Sequence, residues 1–257
     1  MSASAARHRD APGRWSAALI DLADLVLART CAGCGTGRTR WCPGCATHLG
    51  DPPRRRDLGT LSVWSTASYA GPVQTALVAW KDRDRPDLTP VLAAALGRAA
   101  RCALSEIASD DAVERAVVAA LVIVPARSSA SDRRARGRHP VRDLARDAAV
   151  GLSRRGTVAR VLPVLRQRRG VRDQSGLDAR ERAVNLSGAL WVPPGWRGRL
   201  VGRPCLLVDD VVTTGATLLE AARVLRDAGA GPVVAATVAA TELRRPPDLA
   251  GAVRRAD

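Results

Sequence analysis

Residues 204–218 read Pro-Cys-Leu-Leu-Val-Asp-Asp-Val-Val-Thr-Thr-Gly-Ala-Thr-Leu, and few architectures accommodate such a run. The apolar quartet 205–208 predicts a strand covered on both faces, as in a parallel sheet. Asp209 and Asp210 follow at its carboxyl end, where open α/β sheets bind ligands. The pattern predicts a loop over 209–215, a helix over 216–227 stopped by Gly229, and a further strand over 233–240. Strand, helix and strand within about 35 residues make a right-handed βαβ crossover. The loop offers backbone N–H groups and the hydroxyls of Thr213, Thr214 and Thr217 at a helix N-terminus, an arrangement suited to a phosphate monoester. The two carboxylates suit sugar hydroxyls or a hydrated divalent cation. The plain alternative is an N-capped helix with a solvated acidic pair, which gives no reason for two acids, a Gly and three Thr together.

The remaining chain fits the same α/β class. Its 257 residues are 46% hydrophobic but only 3% aromatic, with no Phe, so the core must be built from Ala, Val and Leu. A coiled coil, a collagen and a disordered chain are excluded. Strands are predicted over 61–69, 117–124, 158–165 and 189–192, and helices over 73–80, 88–108 and 141–152, with a turn at Gly71 and Pro72. Residues 1–13 read as a disordered tail and 15–27 as an amphipathic helix. Residues 51–56 read as a linker, placing a boundary near residue 58 between an N-terminal unit (14–58) and the main domain (59–257).

Four of the six cysteines, Cys31, Cys34, Cys42 and Cys45, form two C-x-x-C pairs within fifteen residues. Such spacing lets paired sulfurs converge on one ion, and four thiolate ligands leave no open position, so a zinc held there would be structural. The alternatives are free thiols, a redox pair or an iron–sulfur cluster. His48 is a stray possible ligand beside the four. In a reducing compartment such a cluster signals metal rather than disulfides.

The formal charge of +15 rests almost wholly on arginine, because Lys81 is the sole lysine. That lysine has no glycine framework before it, which excludes a P-loop nucleotide hydrolase. Residues 127–182 hold 16 Arg against six Asp and Glu, so the positive field is concentrated there. Polyanionic company follows, whether nucleic acid, acidic lipid or a phosphorylated small molecule. Arg166, Arg168, Arg169 and Arg172 form either a phosphate-binding face or a solvated one. No stretch reaches the roughly 18 consecutive apolar residues of a membrane helix. The nearest, 17–28, is broken by Asp21 and Asp24, which also spoil it as a signal peptide. The expectation is a cytoplasmic protein without a membrane span.

Four apolar residues, two acids and a T-T-G-x-T turn resemble the phosphoribosyl pyrophosphate (PRPP) motif of type I phosphoribosyltransferases. With the cysteine knuckle in front, residues 31–240 are similar to the ComF family of competence-associated, phosphoribosyltransferase-like proteins. Supporting segments run in order: Tyr69 to Val73 with Lys81 after it, Ile123 to Arg127, Arg136 and Gly137, Asp173 to Leu177, and Arg180 to Asn185. The resemblance implies that Asp209 and Asp210 contact the ribose hydroxyls and the Mg²⁺ shell. It implies PRPP contacts from Val211, Val212, Thr213, Thr214, Gly215, Ala216 and Thr217, with 213–217 holding the 5-phosphate. Pro125, Ala126 and Arg127 match the pyrophosphate loop, and Arg127 and Lys81 are candidates to stabilise the leaving group, Lys81 being otherwise an ordinary surface lysine. The resemblance further implies a role in DNA uptake, with single-stranded DNA and recombination proteins as partners. The chain departs from the family where Arg136-Gly137-Arg138-His139-Pro140 replaces R-G-[FY]-N-Q. His139 there is an acid–base candidate or a capping residue. The rival reading is a PRPP- or nucleotide-sensing module, associated with nucleic acid and lacking turnover.

Overall fold

A computed structural model describes residues 30–108, 111–126, 139–168 and 188–242. The expected tail and the helix over 15–27 lie outside the described residues.

The body is an α/β layer structure around a six-stranded sheet in the order β1-β2-β8-β7-β3-β4. These strands are β1 (Arg54–Asp57), β2 (Ser62–Ser68), β3 (Leu121–Pro125), β4 (Ala159–Val161), β7 (Cys205–Val212) and β8 (Val233–Ala240). Only β1 runs antiparallel to its neighbour; β2, β8, β7, β3 and β4 are mutually parallel. A separate antiparallel ribbon joins β5 (Arg166–Gln167) to β6 (Leu190–Trp191). The central strands read as unbroken apolar runs because helices cover both faces. In β8, seven residues from Val233 to Ala239 are buried.

One face carries α2 (Gly71–Asp82), α3 (Thr89–Ile107) and α5 (Pro140–Ser153), and the other carries α7 (Ala216–Asp227). The absence of Phe is met by close approach. Ala95, Ala99 and Ala103 on α3 and Ala145, Ala148 and Ala149 on α5 belong to one buried cluster with Leu92, Leu96 and Leu144. Each fully buried leucine there contributes about 1.5–3 kcal/mol. Trp80 is fully buried on α2 and its Nε1–H donates to Thr89 Oγ1 at 3.0 Å, satisfying the one polar atom it carries inside. Short helices α1 (Pro43–Ala46) and α6 (Pro194–Arg197), 3₁₀ turns at Thr47–Leu49 and Pro86–Leu88, and α4 (Asp111–Ala120) leading into β3 complete the described elements.

Several expectations are corrected. Residues 51–56 are not a linker: Arg54–Asp57 pairs with β2, since Pro52 and Pro53 precede the strand and cost it no ladder donor. Gly71 and Pro72 open α2 rather than making a turn, Pro being favoured at a first helical turn. The expected strand over 117–124 begins only at Leu121, because the preceding residues belong to α4. Strand 158–165 shrinks to three residues at the sheet edge, and 189–192 to two in the separate ribbon. The first acidic residues are not in a loop, because β7 continues through Asp209 and Asp210 to Val212. The helix over 216–227 and the strand over 233–240 stand as expected. Among the described residues no helix is long and apolar enough to cross a membrane.

Candidate functional site

The chain leaves β3 through α5 toward β4 on one side, and leaves β7 through α7 toward β8 on the other. The connections therefore part between β3 and β7, and a crevice at the carboxyl ends of strands is expected at such a switch point. Pro125 pairs with Val208 in this register, bringing the end of β3 beside the two acids.

Pairing of β7 with β8 runs from Cys205↔Val233 to Asp209↔Thr237 and resumes at Val211↔Ala239 with the same offset. Asp210 is skipped, and its N–H instead donates to Asp209 Oδ1 at 2.9 Å. Asp210 is buried, and its Oδ2 accepts from Lys81 Nζ at 2.7 Å, the lysine standing in the last turn of α2. Burial is the largest influence and raises the Asp210 carboxyl, but the Lys81 charge and the hydrogen bonds with Asp209 and Lys81 together make the net displacement downward. Asp209 is half-buried, and burial followed by repulsion from Asp210 pushes it well above the usual carboxylate range, with Lys81 opposing. One acid is thus held ionised and its neighbour is held toward the protonated form, a separation typical of functional pairs.

After Val212 the chain turns through Thr213, Thr214 and Gly215 into α7. Gly215 has φ 83°, the left-handed region, and the side chain of Leu58 lies where a Cβ would project. Both features favour glycine, since any Cβ would be strained at this φ and would displace the Leu58 methyl. The Ala216 N–H lies 3.4 Å from Thr214 Oγ1, and Leu219 N–H begins the helical ladder by donating to the Gly215 carbonyl at 2.9 Å. The N–H groups ahead of Leu219 have no intrahelical acceptor and meet the positive end of a twelve-residue helix. Val211 and Val212 belong to β7, Val212 being buried, so their side chains serve packing while the turn faces outward at exposed Thr213.

In the segment expected as the pyrophosphate loop, Pro125 has no N–H and the Ala126 N–H donates to the Val208 carbonyl at 2.7 Å. Neither has a backbone donor for a ligand. Arg127 lies outside the described residues, as do Arg136, Gly137, Arg169, Arg172 and the segments 173–177 and 180–185.

The sequence reading missed Arg56 and Leu58 by assigning them to or beside a linker. Arg56 Nη1 donates to the Thr213 carbonyl at 2.7 Å and Nη2 donates to the Thr241 carbonyl. Burial lowers the pKa of this guanidinium, which still carries its charge. The only available signal was the extended four-residue stretch after two prolines.

The four-cysteine cluster is assembled as expected. The sulfurs of Cys31, Cys34, Cys42 and Cys45 all lie within 4.8 Å of one another, with Cys34 and Cys42 at 3.7 Å. A tetrahedral zinc with Zn–S of about 2.3 Å has S···S edges of about 3.8 Å, so the cage fits such an ion. Burial opposes ionisation of Cys31, but the N–H groups of Cys34, Cys42 and Gly33 outweigh it and bring its pKa to about 6. The Thr36 hydroxyl, 2.9 Å from Cys34, lowers that thiol, while burial and the neighbouring sulfurs raise Cys45. Gly33 is required by close approach, since a Cβ would stand 2.7 Å from Cys45 Sγ and 2.9 Å from Pro72.

Residues 196–255 match the phosphoribosyl transferase domain family. The chain is 60% identical over 35 residues to the ribose-phosphate pyrophosphokinase of Methanopyrus kandleri, covering 14% of this chain and 12% of that protein. It is 37% identical over 94 residues to the adenine phosphoribosyltransferase of Nocardia farcinica, covering 37% of this chain and 47% of that protein. The chain thus spans less than half the length of either curated relative.

Proposed function

We propose that the chain binds PRPP with Mg²⁺ at the carboxyl ends of β7 and β3 and transfers its 5-phosphoribosyl group to an acceptor. The observation that carries this reading is the juxtaposition, at the sheet's switch point, of the Asp209–Asp210 pair, the left-handed Gly215 turn and the N-terminus of α7. The family match over 196–255 covers the whole motif.

In this reading the 213–217 turn holds the 5-phosphate through its N–H groups and the hydroxyls of Thr213, Thr214 and Thr217. Asp209 and Asp210 orient the ribose hydroxyls, Asp210 being fixed by Lys81. The bond between the anomeric carbon and pyrophosphate breaks as the acceptor forms its own bond to that carbon, and the leaving oxygens gain charge. Lys81, and Arg127 beyond the described residues, are the cations assigned to that charge. Bound Mg²⁺ supplies further neutralisation on the pyrophosphate, and the two carboxylates suit its hydration shell. The cysteine cage holds structural zinc, and four cysteines outside any disulfide suit a reducing cytoplasm.

A second reading keeps the PRPP pocket without turnover and adds nucleic-acid association. It is favoured by the exposed Arg154, Arg155 and Arg160 in and just before the edge strand β4, and by the exposed Arg168 just after β5. A role in DNA uptake follows from the ComF resemblance and belongs to either reading.

Calorimetry of the zinc-loaded chain with PRPP and Mg²⁺ tests the site. Binding that disappears in the Asp209→Asn, Asp210→Asn double variant is the expected result. A folded parent that binds no PRPP, or a double variant that binds it unchanged, overturns the assignment. Pyrophosphate release in the presence of candidate acceptors then separates turnover from binding alone.

A further inference from the structure

We propose that Arg56 is a positioning residue for the phosphate turn, tying the Thr213 and Thr241 carbonyls so that the turn is ordered before any ligand arrives. This rests on the reading of 213–217 as a phosphate site.

The guanidinium is a planar fork of donors, and here two of its nitrogens reach carbonyls at the exits of two different strands. Thr213 follows β7 and Thr241 follows β8, so one side chain on β1 spans both carboxyl ends. The peptide unit is planar, with its carbonyl and the next N–H pointing opposite ways. Holding the Thr213 carbonyl toward Arg56 therefore directs the Thr214 N–H away from β1. Two further contacts complete the brace. Leu58, two residues beyond Arg56, packs against Gly215, and the Thr241 N–H donates to the Val212 carbonyl at 3.0 Å. A fixed positive charge directly behind the turn also favours an anion in front of it. Pre-ordering matters because an anion site made of backbone N–H groups loses affinity by the entropy of ordering them at binding.

The test uses the full chain with Arg56→Ala and Arg56→Lys. Hydrogen–deuterium exchange without ligand is followed in peptides covering 211–219 and 239–241, which contain the bonded amides of Leu219 and Thr241. Ribose 5-phosphate affinity is measured by calorimetry. In Arg56→Ala, exchange in both peptides is expected to rise about tenfold and affinity to fall about tenfold, the scale of losing one charge-assisted hydrogen bond. Arg56→Lys, whose ammonium reaches one carbonyl, is expected between parent and Ala in both measurements and decides the matter should the Ala variant fail to fold. Unchanged local exchange and affinity, or a lower melting temperature with exchange altered uniformly over the chain, overturn the proposal. A parent chain that binds no ribose 5-phosphate removes the phosphate reading, while the exchange measurement still decides whether Arg56 orders the turn.

Discussion

Replacing Asp209 by Asn should stabilise the ligand-free protein at neutral pH. The Asp209 carboxyl is pushed up by burial and by Asp210 next to it. Its charge is therefore unfavourable in the folded state and less so in the unfolded chain. A group raised in this way contributes stability that is complete below its ordinary pKa, near 4, and is lost as pH rises through the folded value. As pH rises above that ordinary value the parent progressively loses this contribution; Asn never titrates and keeps the carbonyl oxygen that accepts the Asp210 N–H at 2.9 Å. A buried, unpaired ion costs several kcal/mol, but Asp209 is only half-buried and receives that N–H, so a gain of about 1–2 kcal/mol is expected. At about 2–4 °C per kcal/mol for a domain of this size, the melting temperature should rise by about 2–8 °C. Asp210 has the opposite sign. Its carboxyl is held low, so its contribution is present above the ordinary pKa and lost as pH falls through the folded value. Asp210→Asn should therefore lower the melting temperature at neutral pH, leaving Lys81 without the carboxylate it meets at 2.7 Å. Thermal melts by circular dichroism in Mg²⁺-free buffer, from about pH 4.5 to about pH 8, check both. A destabilised Asp209→Asn protein at neutral pH, a gain that does not grow with pH, or the same sign for both variants would refute the reasoning.

The zinc and the turn give two further tests. The purified chain should carry one zinc ion by atomic absorption, and Cys45→Ser, which removes a buried ligand, should lose it with a lower melting temperature; visible absorbance from iron would instead identify a cluster. Gly215→Ala places a Cβ at φ 83° against Leu58 and should cost about 1–2 kcal/mol and weaken PRPP binding; a melt and titration matching the parent would show that the turn tolerates a side chain.

What the sequence disclosed depended on how local each signal was. The helix and second strand of the 205–240 crossover, and the start of its first strand, could be read because an apolar quartet, a helix stop at Gly229 and a second apolar run are all short-range patterns. The cysteine cage was legible for the same reason, two ligand pairs being close in the chain. The extent of β7 was misread because Asp209 and Asp210 have poor strand propensity. Pairing with β8 overrides it, Asp209 lying opposite Thr237 and Val211 opposite Ala239. Arg54–Asp57 gave no apolar alternation, because an antiparallel edge strand exposed to solvent needs none. The contact of Arg56 with Thr213 spans 157 residues, and nothing short-range encodes it.

Helix α2 links the four-cysteine cage to the acidic pair at the end of β7. Twelve residues make a rod of about 18 Å. At its first turn Pro72 packs against Gly33 of the cage, and at its last turn Lys81 reaches Asp210. Between them Trp80 is fully buried, so the rod cannot slide without opening the core. The cage is itself tied to the body. Leu49 lies in the main core cluster, Arg98 donates to the Leu49 and Asp51 carbonyls, and Arg85 Nη1 donates to the Thr30 carbonyl at 3.4 Å. An exposed lysine loses much of its side-chain entropy when held in one place; one delivered by a helix anchored at both ends loses less at the moment of use. A zinc held by the four cysteines would have no open position for a substrate, and would fix the N-terminus of the helix that carries the sole lysine to the acidic pair.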